Sequence, residues 1–239
     1  MPIPRIIHQT CKDKRALPDE LLANVELLRA LNPGWEHQLY ENAEMEDFIR
    51  THYGAEVVGV FRKVNPAYPV VKADLFKYLL LHQCGGAYFD IKSTALKPLD
   101  DVLQPDDHFL LAQWHNKLGE EFQGFGLHPD LAAIPGGEFQ QWHIVAAQGH
   151  PFLAHVINRA LFNLRTYDAD FHGTGALGVL RATGPICYTL AIAPHLRRSP
   201  FRIVDSRAIG FRYSIYPGPA DAHRKVLGDY TVLTDPIVV

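Results

Sequence analysis

An α/β fold built on a mostly parallel sheet is predicted by three observations. Short apolar runs alternate with stretches of helical period along the 239 residues, the pattern of strands joined by covering helices. One helix-like stretch, 71–84, stops on Gly85-Gly86 and is followed at once by the β-favouring Tyr88 and Phe89. No internal repeat, low-complexity tract or Gly/Ser linker breaks the chain.

The elements follow in order. Residues 5–8, after two prolines, read as a first strand. Pro18, Asp19 and Glu20 open a helix, because proline suits the first turn and acids suit its positive end. Leu21, Leu22, Val25, Leu28 and Leu31 give it an apolar face, and Asn32-Pro33-Gly34 ends it. Residues 35–40 read as a second strand, and Asn42 as the cap of a helix that stops near Gly54. In 71–84 the buried stripe is Ala73, Phe76, Leu79 and Leu80, with Gly85-Gly86 as its left-handed stop. Residues 87–91 and 108–114 are further strands. Helices are expected over 139–148, 151–167, 175–182 and 185–195, then short strands at 201–204 and 208–213.

Composition narrows the function classes. Hydrophobic residues at 47% and charged residues at 21% argue against disorder. A net charge of −3 gives no global attraction to nucleic acid. Cys11, Cys84 and Cys187 form neither a CxxC pair nor a zinc spacing, which fits a reducing compartment. The opening MPIPRIIHQT lacks an apolar core of signal-peptide length. No run approaches the roughly 18 apolar residues of a membrane span, so a cytoplasmic location is expected. Residues 197–225 carry seven basic side chains against Asp205 and Asp221, a net +5. That is either a solvated face or a patch facing phosphate groups, with peripheral membrane contact as one use.

In open α/β sheets, ligands bind beyond the carboxyl ends of strands. That rule selects His8-Gln9-Thr10 and the segment from Asp90 to Thr94. On an extended segment Asp90 and Lys92 project to one side, bringing a carboxylate and an ammonium into one crevice. On the preceding helix Asp74, Lys77 and Tyr78 share a face. Taken singly, Asp74 is also an ordinary first-turn acid and Lys77 its ion-pair partner. An acid, a helix, Gly-Gly and a strand ending in a second acid form a more specific combination.

The segment VKADLFKYLLLHQCGGAYFDIKS resembles the signature of glycosyltransferase family 32, whose sugar-binding region contains a DxD motif. That signature runs alanine, aspartate, a basic residue, tyrosine, Gly-Gly, an aromatic and the DxD. IPRIIHQT is similar to the family's first strand, and GGEFQQWHIVAAQGHPFL and ATGPICYTLAI to its later helices, so the resemblance covers most of 1–195. It implies a single-domain GT-A (Rossmann-like) nucleotide-sugar-binding fold over 1–239, with extra C-terminal helices. Residues 1–115 would bind the nucleotide sugar, and 116–239 would form the acceptor-side and closing part. The implied reaction is retaining transfer of a hexose from a nucleotide sugar, a UDP-hexose or GDP-mannose. The acceptor would be a glycan or glycolipid, as in polysaccharide biosynthesis. Carried over by position, His8, Gln9 and Thr10 border the nucleotide, and Gly86 belongs to the donor site. Asp74 accepts from donor-sugar hydroxyls, Lys77 stands where arginine is usual, and Asp90 is the first acid of the DxD.

The motif's second acid, which normally binds a divalent metal such as Mn or Mg, is Lys92 here. Transfer needs positive charge beside the diphosphate, because negative charge builds on the leaving group. At about 4 Å and an effective dielectric near 20, one unit pair is worth roughly 4 kcal/mol before desolvation. Asp90 and Lys92 are therefore the expected catalytic pair, with Lys92 replacing the metal's charge. Two alternatives stand beside this. Lys92 could pair with Asp90 or Asp74 and hold the loop. Asp90 could instead hold a metal with His223, since a late histidine completes the metal shell in related GT-A enzymes. No HExxH or other paired-ligand spacing occurs. On the acceptor side, Trp114, His115, Asn116, Trp142 and His143 suit a carbohydrate's faces, with core packing the alternative for the tryptophans. Gly173-Thr174-Gly175 and Thr183-Gly184-Pro185 read as tight turns, and Asp168 and Asp170 as a polar loop. Two other functions compete: a non-catalytic sugar or nucleotide binder, and an aspartyl phosphatase using Asp90.

Overall fold

The computed structural model describes residues 2–218 and 222–239. Its centre is a six-stranded sheet in the order β2 (Glu36–Tyr40), β1 (Ile6–Thr10), β3 (Gly86–Phe89), β6 (His143–Ala146), β5 (Phe109–Leu111) and β7 (Arg202–Ile203). β1 runs parallel to β2 and β3, and β5 to β7, while β6 runs antiparallel to both of its neighbours. One reversed strand leaves the sheet mostly parallel, so the others end on a common edge. A two-stranded antiparallel ribbon, β4 (Thr94–Ala95) with β8 (Phe211–Arg212), stands beside that edge.

The helices are α1 (Asp19–Leu31), α2 (Asn42–Arg62), α3 (Pro69–Cys84), the short α4 (Leu99–Val102), α5 (Pro151–Arg165), the short α6 (Ala169–His172), α7 (Gly175–Ala182), α8 (Pro185–Ile192) and the short α9 (Arg224–Leu227). α3 is enclosed nearly all round, so its buried surface is wider than the four-residue stripe the periodicity suggests; every residue from Asp74 to Leu81 is buried, the charged Asp74 and Lys77 included. It packs between the sheet, α2 and α5. Alternation along the central strands divides the interior into two cores. Tyr88 and Ile144 join α3, α5 and α8 on one side. Ile7, Ala87, Phe89 and Val145 join Leu28, Trp114 and Trp142 on the other.

Several expectations are corrected. Within the predicted helix 139–148, residues His143–Ala146 form a strand, because four buried residues wedged between β3 and β5 satisfy their backbone groups as a ladder. A short apolar run carries the same hydrophobic pattern in a buried strand as in a buried helix. The first strand extends to Thr10, so His8, Gln9 and Thr10 lie inside it rather than after it. Glu41, not Asn42, caps α2, exchanging hydrogen bonds with Glu44. That helix continues to Arg62 across a kink at Gly54, where φ is 78°. The strands predicted at 201–204 and 208–213 shrink to two residues each. Residues 175–195 are long and apolar enough, by length and composition, to cross a membrane, although no 18-residue apolar run was evident in the sequence. They break at Thr183 and Gly184, and 61% of their apolar window is buried in the protein.

Candidate active site

The site begins with the turn from α3 into β3. Gly85 ends the helix with φ at 67°, its N–H donating to the Leu81 carbonyl at 2.8 Å. At Gly86, with φ at 104°, a Cβ would lie 2.5 Å from the Ile6 carbonyl, so only glycine lets β3 start against β1. β3 then runs four buried residues and delivers Asp90 at the sheet edge, where its N–H donates to the Trp142 carbonyl at 2.8 Å. The chain turns there, with Ser93 N–H donating to the Asp90 carbonyl at 2.8 Å. The extended geometry expected over 90–92 is therefore replaced by a turn, yet the two side chains still meet.

The turn is held from three sides. Asn24 of α1 donates to the Ile91 and Ser93 carbonyls at 3.0 and 2.9 Å. The Ser93 hydroxyl donates to the Tyr213 carbonyl at 2.6 Å, and Ile215 N–H donates to the Lys92 carbonyl at 2.8 Å. The Lys92 ammonium lies 3.9 Å from the centre of the Tyr213 ring, a cation–π contact.

Four charged groups gather on this frame. Lys92 Nζ is 3.2 Å from Asp90 Oδ2, and Lys77 Nζ is 3.9 Å from Asp90 Oδ1. Lys77 Nζ also donates to Asp74 Oδ1 at 2.8 Å, while Asp74 Oδ2 accepts from the Thr183 hydroxyl at 3.1 Å. The side chains of Asp74, Lys77 and Lys92 are 3%, 2% and 7% exposed, whereas Asp90 is 30% exposed. Asp90 is thus the group that faces solvent, with two ammoniums behind it. Burial pulls the Lys92 ammonium below its ordinary pKa, and Asp90 beside it pulls the other way.

A cavity of about 330 Å³ opens over the cluster. Thr10, Asp74, Asp90, Lys92, Trp114, Trp142 and His223 all line it, joined by Tyr88, Tyr213, Arg224 and Tyr230. Thr10 pairs with the Tyr88 hydroxyl at 2.9 Å on its floor. Lys77 reaches Asp90 from behind the lining. Other expected donor residues do not line it. His8 is buried, donating Nε2–H to the Gly85 carbonyl at 3.0 Å, and burial lowers its pKa to about 4. Gln9 faces the other side of β1 and accepts from His37 at 3.0 Å. Gly86 sits at the far end of β3 from Asp90.

On the acceptor side, both tryptophans line the cavity while being largely packed: Trp114 donates to Glu138 at 2.7 Å. His143 does not line it. It is buried, donates to Gln140 at 3.2 Å, and burial lowers its pKa to about 3. Asn116 donates to the Phe125 and Gly136 carbonyls, and Asp168 caps α6. Tyr213 and Tyr230 escaped the sequence reading, since single tyrosines in a short-stranded tail carry no periodic signal. Arg224 belongs to the basic tail singled out by charge. Within that tail, Arg202 is spent structurally on Asp107 at 2.6 Å.

A divalent metal fits this donor set poorly. Both Asp90 oxygens already face ammonium groups, which repel a cation and stand where it would bind. Asp74 is engaged by Lys77 and Thr183, and among the described residues no three His, Cys, Asp or Glu side chains gather to hold an ion. His223 lines the cavity with its ring 5.9 Å from that of Tyr213.

Residues 18–110 match the model of a glycosyltransferase sugar-binding region containing a DXD motif. The chain is 27% identical, over 84% of its length, to an initiation-specific alpha-1,6-mannosyltransferase of Schizosaccharomyces pombe, covering 51% of that protein. It is 26% identical, over 95% of its length, to inositol phosphoceramide mannosyltransferase 1 of the same organism, covering 61% of it. The chain thus spans about half the length of the curated relatives it matches. Among solved structures, the PaToxG glycosyltransferase superposes with a TM-score of 0.55 at 13% identity, covering 82% of this chain and 71% of that one. The shared fold is GT-A.

Proposed function

We propose that the chain is a glycosyltransferase of the family 32 type, a reading supported by its matched sugar-binding region and its mannosyltransferase relatives, and that it transfers a hexose from a nucleoside diphosphate sugar to a glycan or glycolipid hydroxyl. The observation that carries this reading is the solvent-facing Asp90 backed by Lys92 and Lys77 under a cavity at the carboxyl ends of β1 and β3. The mannosyltransferase names of the relatives support mannose as the sugar, and GDP-mannose as the first donor to try. Retention at the anomeric carbon rests on the family resemblance.

In this reading Asp90 accepts from donor hydroxyls and orients Lys92. As the bond from the anomeric carbon to the diphosphate oxygen breaks, its electron pair stays on the diphosphate. Lys92 and Lys77 supply the positive charge that stabilises it, fixed in advance by Asp90 and Asp74. The acceptor hydroxyl oxygen forms the new bond on the same face, and its proton passes to the departing diphosphate. Tyr213 and the Trp114–Trp142 wall shield the reaction from water.

A thermal-shift panel of nucleotide sugars tests this. A donor at 100 times its Kd stabilises by about 2.7 kcal/mol, roughly 5–10 °C for a chain of this size. The expected hit is GDP-mannose, with or without chelator, followed by slow donor hydrolysis that Asp90→Asn abolishes while its own Tm holds. A panel in which no nucleotide sugar shifts Tm refutes the reading; a hit without turnover makes the chain a binder.

A further inference from the structure

A second cavity, of about 600 Å³, adjoins the first across a wall of Trp114, Trp142 and Tyr213, which line both. It takes no lining from β1, Asp74 or Asp90, so it lies outside the donor grip. Three observations define what it suits.

Its wall is aromatic. The Trp114 and Tyr213 ring centres are 5.0 Å apart, and those of Trp142 and Tyr213 are 5.7 Å apart. Such flat apolar faces match the C–H faces of a pyranose ring. Two side chains lining the cavity also carry buried polar groups without hydrogen-bond partners: the indole N–H of Trp142, itself 4% exposed, and the hydroxyl of Tyr216. A buried donor left unpaired costs about 1–3 kcal/mol, and such a group in a folded protein points to a missing partner. Finally, the basic side chains at this cavity differ in occupation. Arg207 is held by Glu121 at 3.2 Å and His115 by Asp205 at 2.9 Å. Arg212, exposed on β8, has no ion-pair partner among the described residues.

We propose that this second cavity is the acceptor subsite, and that its acceptor is a pyranoside bearing an anionic substituent, phosphate or carboxylate, read by Arg212. The sugar ring lies on the tryptophan–tyrosine wall, and the planar guanidinium takes two anionic oxygens at once. That sugar then lies beside the donor cavity, against the side chains the two cavities share. The assignment rests on the transfer reading above, and its test is kept separate from turnover.

The test is a titration of the full chain followed by tryptophan fluorescence, since two of its three tryptophans line the cavity. The probes are methyl α-mannoside, its 6-phosphate and methyl glucuronoside. At least one charged glycoside is expected to bind about tenfold more tightly than the neutral one. Arg212→Gln should collapse that ratio to near one, and Arg212→Lys should restore part of it. Equal binding of all three probes by the wild type overturns the proposal, and so does an unchanged ratio in Arg212→Gln. A failed transfer reading shows instead in the nucleotide-sugar panel, where these probes take no part.

Discussion

Replacing Lys92 by methionine removes one ammonium and little volume, and the structure gives opposite signs for its effects on stability and on transfer. Burial pulls the Lys92 pKa down, so the folded chain resists the charged form. The penalty is fully present below the lowered folded-state pKa and lifts as pH rises from there toward the ordinary lysine range. Asp90 loses its partner at 3.2 Å but keeps Lys77 at 3.9 Å and is 30% exposed. The variant should therefore melt at or slightly above the wild-type temperature. Transfer moves the other way. A unit pair near 4 Å at an effective dielectric of about 20 is worth roughly 4 kcal/mol before desolvation. Loss of one preorganised group facing developing charge costs on the order of 10²–10³ in kcat, about 2.7–4 kcal/mol. The assay is release of nucleoside diphosphate from the best donor, with and without EDTA. Wild-type turnover should resist the chelator, Lys92→Met should fall at least about a hundredfold, and added manganese should not rescue it. Wild-type activity that collapses in EDTA refutes the lysine counter-charge. So does a Lys92→Met enzyme with undiminished kcat.

Two further outcomes follow from the same cluster and its surroundings. Asp74→Ala leaves Lys77, 2% exposed, without its partner at 2.8 Å; breaking such a buried pair costs about 3–5 kcal/mol, measurable by urea denaturation, and a loss under 1 kcal/mol would contradict the burial of the pair. His8 and His143 have pKa values lowered to about 4 and about 3 by burial, so the unfolded chain takes up two protons that the folded one refuses. Their contribution is present above pH 6.5 and is lost as pH falls toward those values, at up to about 1.4 kcal/mol per pH unit for each histidine. Stability that stays flat between pH 7 and 4.5 would refute this, and His143→Gln should reduce the slope.

Much of the site was legible along the chain because local rules write it. Gly85-Gly86 had to be glycine, at φ values of 67° and 104°, and the i, i+3 spacing of Asp74 and Lys77 makes their 2.8 Å pair. Asp90 and Lys92 meet for a different reason from the one their spacing suggests: a turn held by Asn24, not an extended strand, brings them together. His8, Gln9 and His143 misled because a polar residue in a buried strand looks the same in sequence as one at a strand's end. The partners of His8 and Gln9, Gly85 and His37, come from distant segments, while His143 is turned inward onto Gln140 three residues before it.

By itself the sequence determined the alternation of strands and helices, the glycine hinge before β3, and the replacement of a motif acid by a lysine. All of these are properties of neighbours within a few residues. Only the tertiary structure decided that residues 143–146 form a reversed strand, because pairing with β3 and β5 overrides a helical pattern. It also decided that Tyr213 and Arg224, more than a hundred residues beyond Asp90, line the same cavity. Burial against remote segments decides which polar groups remain available to a ligand, and spacing along the chain carries no record of it.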